Sequence, residues 1–277
     1  MQQIDVYKVI KDKNPKLARR VPKFVINYLK RIIHQDEINE LLREFPDLDG
    51  VEFARAALRR LGISYHSVGL EGVDPSGRYV FASNHPFGGV DGLMLADEVE
   101  KKFGDVRVVV NDLLMNMEPL KSLFIPVNKH GRQNEGSVHA FNDAFASDMP
   151  IITFPAGLCS RRRKGVVCDL EWKSNFVRKA VQNRRDIVPV YFDGKLSNFF
   201  YRLANFRKFL GIKVNIEMLY LVNEMFKQRG SDFEIVFGPP VGYESLLEGR
   251  NIREATDFIR GKVYGLSLSD KKEESCK

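Results

Sequence analysis

The rhythm of apolar residues changes near residue 63. Before that point they recur with helical spacing: Val21, Phe24, Val25, Tyr28, Leu29, Ile32 and Ile33 stand at i, i+3, i+4, i+7, i+8, i+11 and i+12, which makes one continuous stripe. Pro22 suits a first helical turn, and Arg19, Arg20, Lys23, Lys30 and Arg31 lie beside or opposite the stripe. Further helices are predicted over residues 37–45, ending at the Pro46 turn, and over 51–61. The stripe has two readings. It packs on the body of the protein, or it lies in a membrane interface with its apolar face in lipid and its cations on anionic headgroups. Residues 1–62 therefore read as an amphipathic helical lead-in.

From residue 63 onward, short β-branched or aromatic runs alternate with amphipathic segments, the texture of an α/β domain. Strands are predicted near 79–83, 106–110, 123–127, 151–154, 187–192 and 233–237, and helices over 93–103, 136–146, 170–183 and two later stretches. The predicted architecture is a mixed, mostly parallel sheet flanked by helices, filling residues 63–270, with 271–277 a frayed tail. Leu196, Phe199, Phe200, Leu203, Phe206, Phe209 and Leu210 repeat the helical rhythm with Lys195, Arg202, Arg207 and Lys208 interleaved, so that helix packs in the core or faces a membrane. Trp172 with Phe176 reads as core.

Composition narrows the function classes. In 277 residues 44% are hydrophobic, enough for a sizeable core, and the net charge is +7. That charge is uneven: residues 1–34 carry +7, 35–159 carry −8, 160–213 carry +10 and 214–277 carry −2. Two basic blocks thus sit on an otherwise acidic protein, which suggests an anionic partner. No RRM, KH, zinc-finger or helix-turn-helix signature points to nucleic acid. Cys159, Cys168 and Cys276 cannot build a disulfide framework and have no CxxC spacing, as expected of a reducing compartment. The longest charge-free runs, 79–90 and 149–160, are too short to cross a bilayer, and the N-terminus is too charged for a signal peptide. The His, Asp and Glu residues show no paired metal-ligand spacing, and His34, His66 and His139 carry no role.

The candidate chemistry sits at strand ends. The segment YVFASNHPFGGVDG places His85, Pro86, Gly88, Gly89 and Asp91 just after the first strong strand. Histidine is suited to take a proton near neutral pH, and a carboxylate on its other ring nitrogen would fix the tautomer and stabilise the imidazolium. No GxSxG elbow accompanies it, which favours direct transfer to an outside acceptor over a covalent enzyme intermediate.

Four segments in order, SNHPFGGVDG (83–92), SLFIPVNKHGR (122–132), TFPAGLCSRRRKG (153–165) and IVPVYFDG (187–194), resemble the four blocks of glycerolipid acyltransferases, the lysophosphatidic acid acyltransferase-like superfamily. The resemblance implies transfer of a fatty acyl group from coenzyme A or acyl carrier protein, as co-substrate rather than cofactor, to a lipid hydroxyl. His85 would be the general base and Asp91 its partner. Asn84, Gly88, Gly89, Asn128, Lys129, Arg132, Phe154, Pro155, Ala156, Gly157, Arg161, Arg162 and Arg163 would line the substrates. The arginine run reads either as a solvated loop or as a dock for coenzyme A phosphates, acyl carrier protein or headgroups.

Three departures from the family pattern bear on substrate. Five residues rather than four separate His85 from Asp91, which requires a glycine to be looped out; Val127 stands where an Arg usually faces the acceptor phosphate; and FPAG replaces FPEG, so Ala156 stands in place of a glutamate. The last two remove groups that a glycerol-phosphate acceptor would use. The chain is therefore similar to the bacterial "hemolysin" branch and its lyso-amino-acid-lipid O-acyltransferases, whose acceptor is a 3-hydroxy fatty acid amide-linked to glycine or ornithine. The carboxylate of such an acceptor would meet Lys129 or Arg132. A phospholipid-pathway 1-acylglycerol-3-phosphate acyltransferase and a non-catalytic lipid-binding protein are the alternatives. The expected location is peripheral, on the cytoplasmic face of the inner membrane, with part of the protein in the cytoplasm as the alternative.

Overall fold

The structure, a computed structural model, describes residues 3–127 and 135–267. Its strands are β1 (Ser64–Val68), β2 (Tyr79–Ser83), β3 (Arg107–Asn111), β4 (Phe124–Val127), β5 (Ile151–Thr153), β6 (Arg161–Arg163), β7 (Val166–Cys168), β8 (Asp186–Phe192) and β9 (Asp232–Phe237). Among the described residues, seven of these form one sheet in the order β1-β9-β8-β2-β5-β3-β4, and β6 and β7 make a separate antiparallel hairpin. Every pairing in the large sheet is parallel except β8 with β9. The α/β architecture with a mostly parallel sheet is thus as the sequence predicts.

Helices α1 (Val6–Lys13), α2 (Pro15–Arg20), α3 (Lys23–Ile32), α4 (Gln35–Glu44) and α5 (Gly50–Arg60) precede the sheet. Within and after it come α6 (Gly89–Phe103), α7 (Glu135–Ala146), α8 (Asn175–Gln182), α9 (Asn198–Phe209), α10 (Leu221–Phe226) and α11 (Ile252–Tyr264). Side chains alternate across a strand, and β2 divides accordingly between two cores. Tyr79 and Phe81 join Leu42, Phe53 and Leu58 of α4–α5 and the inner face of α6. Val80 and Ala82 join Phe145 of α7, Phe176 and Val177 of α8, and Ile259 and Val263 of α11. All five residues of β2 are buried, at roughly 1.5–3 kcal/mol for each large apolar side chain, so the strand that carries the candidate histidine is among the most firmly held parts of the molecule.

Several elements differ from expectation for identifiable reasons. Strand β1 was not anticipated because Ser64, His66 and Ser67 leave it no apolar run; its parallel pairing with β9, Ser64 opposite Asp232, makes it a strand. The arginine run is half of a hairpin, turned at Lys164 (φ 48°) and Gly165 (φ 86°), rather than a loop. Helix α8 begins at Asn175, five residues after the predicted start, because the preceding residues wrap Asp169 and Trp172 into the interior. Helix α6 begins four residues early, at Gly89, and Pro22 sits just before α3 as its cap instead of within its first turn.

Candidate active site

The parallel strands β8, β2 and β5 are neighbours, so their C-terminal ends open on the same edge of the sheet. His85 follows β2 there. Gly88 adopts φ 80°, a region that favours glycine, and a Cβ at that position would approach Leu221 Cδ2 at 3.1 Å. This turn absorbs the extra residue of the five-residue spacer and starts α6 at once, which returns Asp91 to the histidine. His85 Nδ1 and Asp91 Oδ2 stand 2.8 Å apart. The oxygen lies off the line of the ring N–H, so the contact is an ion-pair distance rather than a straight hydrogen bond; such bonds commonly tighten only when substrate binds.

Asp91 is fully buried, and both of its oxygens accept the Phe87 N–H at 3.1 Å. Burial pushes its carboxyl above the ordinary range, against the opposing pull of His85. The His85 ring lies on Phe154, with centroids 4.1 Å apart, and its side chain is 18% exposed. Gly194, after β8, passes so close to Phe87 that a Cβ would fall 1.7 Å from the ring, so Phe87 seats the turn only against glycine.

Other predicted residues take different places. The buried Asn84 amide donates to the Phe192 carbonyl and accepts the Phe192 N–H, both at 2.8 Å, so it ties β2 to β8 instead of facing substrate. Pro155 and Ala156 are buried, Ala156 in the core with Trp172, while Gly157 (φ 65°) closes a turn onto the Phe154 carbonyl at 2.8 Å. Gly89 is the first residue of α6. Arg161 turns inward: its Nη2 meets the buried Glu217 at 2.8 Å and its Nη1 donates to the Cys159 carbonyl at 2.5 Å, so its charge is already met. Arg162 reaches Asn198 at 2.7 Å over the Tyr201 ring, and Arg163 is exposed. Within the run, Arg163 is thus the arginine presented to solvent. Val127 ends β4, whereas Asn128, Lys129 and Arg132 lie outside the described residues.

One neighbour escaped the sequence reading. Asp169, buried, accepts the His85 backbone N–H at 3.2 Å, the Ser160 hydroxyl at 2.6 Å and the Trp172 indole N–H at 2.9 Å. Burial raises its pKa as well. Its proximity to the histidine arises from the fold, and a lone Asp three residues before a Trp carries no local signal.

The chain is 45% identical over 264 residues to a lyso-glycine lipid O-acyltransferase of Bacteroides thetaiotaomicron, covering 95% of this chain and 97% of that protein. It is 44% identical to a protein of the same name from Phocaeicola vulgatus, covering 95% of each. A crystal structure of the 1-acyl-sn-glycerophosphate (LPA) acyltransferase PlsC from Thermotoga maritima overlaps 89% of this chain and 93% of that one, at 14% identity and a TM-score of 0.45. The family described as Acyltransferase matches residues 8–272, nearly the whole length, and the chain belongs to that family.

Proposed function

We propose that this acyltransferase esterifies the hydroxyl of a lyso-amino-acid lipid, foremost a lyso-glycine lipid, with a fatty acyl group from a thioester of coenzyme A or acyl carrier protein. The observation that carries the mechanism is the 2.8 Å approach of His85 Nδ1 to the buried Asp91 carboxylate, which leaves Nε2 as the nitrogen available to the acceptor. Nε2 takes the hydroxyl proton as the oxygen attacks the thioester carbonyl. The new C–O ester bond forms, the C–S bond breaks, and the imidazolium returns the proton to the departing thiolate. Asp91 stabilises the imidazolium while it exists. The acceptor class is supported by the names of the two relatives and by Val127 and Ala156, which remove the cation and the anion that a glycerol-phosphate headgroup would use. Lys129 and Arg132 are the residues proposed to receive the glycine carboxylate.

The lipid substrate has to be collected from a bilayer. No helix among the described residues is long and apolar enough to cross one. A peripheral mode, on the cytoplasmic face of the inner membrane, is supported by an exposed apolar surface: Phe24 on α3, Phe206 and Phe209 on α9, then Leu210 and Val214, with Phe209 85% exposed. Tyr28 and Tyr220 join the two parts through a 2.5 Å contact between their hydroxyls. Lys23, Lys208 and Lys213 stand beside these side chains in the sequence, the arrangement that binds anionic headgroups.

The test is to incubate the purified protein with a long-chain acyl thioester and lyso-glycine lipid and to follow the diacylated ester by mass spectrometry. Thioester-dependent ester formation supports the proposal. No ester with either coenzyme A or acyl carrier protein thioesters would contradict it.

A further inference from the structure

His85 is fixed from two directions, and only one of them is the side-chain contact just described. Its peptide group closes a ring of hydrogen bonds. The His85 N–H donates to Asp169 Oδ1 at 3.2 Å, and the same oxygen accepts the Ser160 hydroxyl at 2.6 Å. The Ser160 N–H donates back to the His85 carbonyl at 2.7 Å. Both polar groups of the histidine peptide therefore end on one Asp–Ser pair.

That pair is anchored in turn. Asp169 Oδ2 accepts the Trp172 indole N–H at 2.9 Å, and the Asp169 backbone N–H donates to Tyr264 Oη at 2.8 Å on α11. Trp172 and Tyr264 are themselves core residues. A chain of well-packed contacts thus runs from α11 to the residue that carries the base. An uncompensated carboxylate in the interior is expensive, and neutral acceptors could satisfy these donors without a charge. Here the carboxylate sits beside the loop of the one histidine at this strand end.

We infer that Asp169 and Ser160 form a positioning unit for His85, holding its main chain so that the imidazole is presented to the acceptor hydroxyl at a fixed depth. Asp91 orients the ring and this unit orients the backbone beneath it. The inference rests on the proposed role of His85 as the base. Displacing a catalytic group by about 1 Å can lower turnover on the order of a hundredfold without touching the groups that bind substrate. Loss of the unit should therefore appear in kcat and leave KM for the acceptor nearly unchanged.

The experiment compares Ser160→Ala, Asp169→Asn, the double variant and His85→Ala in the full chain, with kcat corrected for the folded fraction. Ser160→Ala removes one hydrogen bond at a small buried site and is the variant expected to fold without difficulty. It should lower kcat about tenfold with KM within about threefold of wild type. Asp169→Asn should lower kcat about a hundredfold, and the double variant should be no worse than Asp169→Asn alone, because the two residues act as one unit. Wild-type kcat per folded molecule in Ser160→Ala overturns the inference, whether or not Asp169→Asn folds. So does a rise in KM that accounts for the whole loss, or additivity of the two single effects. If His85→Ala itself stays active, the base assignment fails first; if His85→Ala is inactive while Ser160→Ala and Asp169→Asn keep normal kcat, only the positioning role fails.

Discussion

Two buried carboxylates that bond residues of, or next to, the β6–β7 hairpin are treated in opposite ways. Glu217 meets two guanidiniums, Arg161 and Arg207, each at 2.8 Å, and joins the hairpin to α9. Among the described residues, the hydrogen-bond donors to the Asp169 side chain are all neutral: a peptide N–H, a hydroxyl and an indole. In the first region charge cancels locally and the result is architecture beneath the exposed surface of α9. In the second the negative charge is left facing the His85 loop, where Asp91 is buried as well. A buried carboxylate that finds its own cations holds the fold together; one that does not, beside a histidine, would stabilise a cation formed on that ring.

The strongest way to break this contrast is at the base itself. His85→Ala should lower acyl transfer by ~10²- to 10⁴-fold while the thermal transition stays close to wild type, since the ring is at the sheet edge and not in the core. Activity assays with parallel melting curves check both halves. Glu217→Gln should do the reverse. A buried and a half-buried guanidinium facing a neutral amide cost about 3–5 kcal/mol, so stability in urea should fall steeply while kcat per folded molecule changes little. A Glu217→Gln protein with full stability would remove the architectural half of the comparison.

Asp91→Asn sharpens the contrast through pH. Burial holds the Asp91 carboxyl above the ordinary aspartate range. An acid whose folded pKa is raised contributes its stability below the unfolded value and loses it as pH rises through the folded one. The wild type should therefore lose stability relative to Asp91→Asn as pH rises from about 4, even though the variant turns over more slowly. Denaturation at a series of pH values gives the sign directly, and a wild type that gains stability relative to Asp91→Asn as pH rises would contradict the burial argument. The smallest effect is expected at the surface. Phe209→Asp should weaken association with anionic vesicles about tenfold, since a fully buried Phe contributes ~1.5–3 kcal/mol, and leave turnover of dispersed substrate intact.

The legible part of this structure was what period and punctuation encode. The fully apolar runs place β2, β5 and β8 within a residue or two, and the candidate pair is marked by one histidine and one aspartate around a Gly-Gly turn. What could not be read depends on distant partners. Strand β1 exists because β9 offers it a ladder, and Asn84, Ala156 and Arg161 face inward because Phe192, Trp172 and Glu217 wait there. Asp169 lies 84 residues from His85 along the chain, and no local pattern connects them. The α3 stripe divides in the structure: Ile26 and Ile32 are buried, so the packing reading holds for that part of the helix, whereas Phe24 is exposed.

The central claim is that this site acylates an amino-acid lipid in preference to a glycerol phosphate. The most direct test offers equal concentrations of lyso-glycine lipid and lysophosphatidic acid to the enzyme with one acyl thioester and quantifies both products from the same tube. Because both acceptors present a hydroxyl to His85, selectivity has to come from the groups that receive the headgroup, and this sequence has Val127 and Ala156 at the two positions where the glycerol-phosphate pattern has an Arg and a Glu. Diacylated glycine lipid should dominate by tenfold or more. Equal or faster acylation of lysophosphatidic acid would contradict the account.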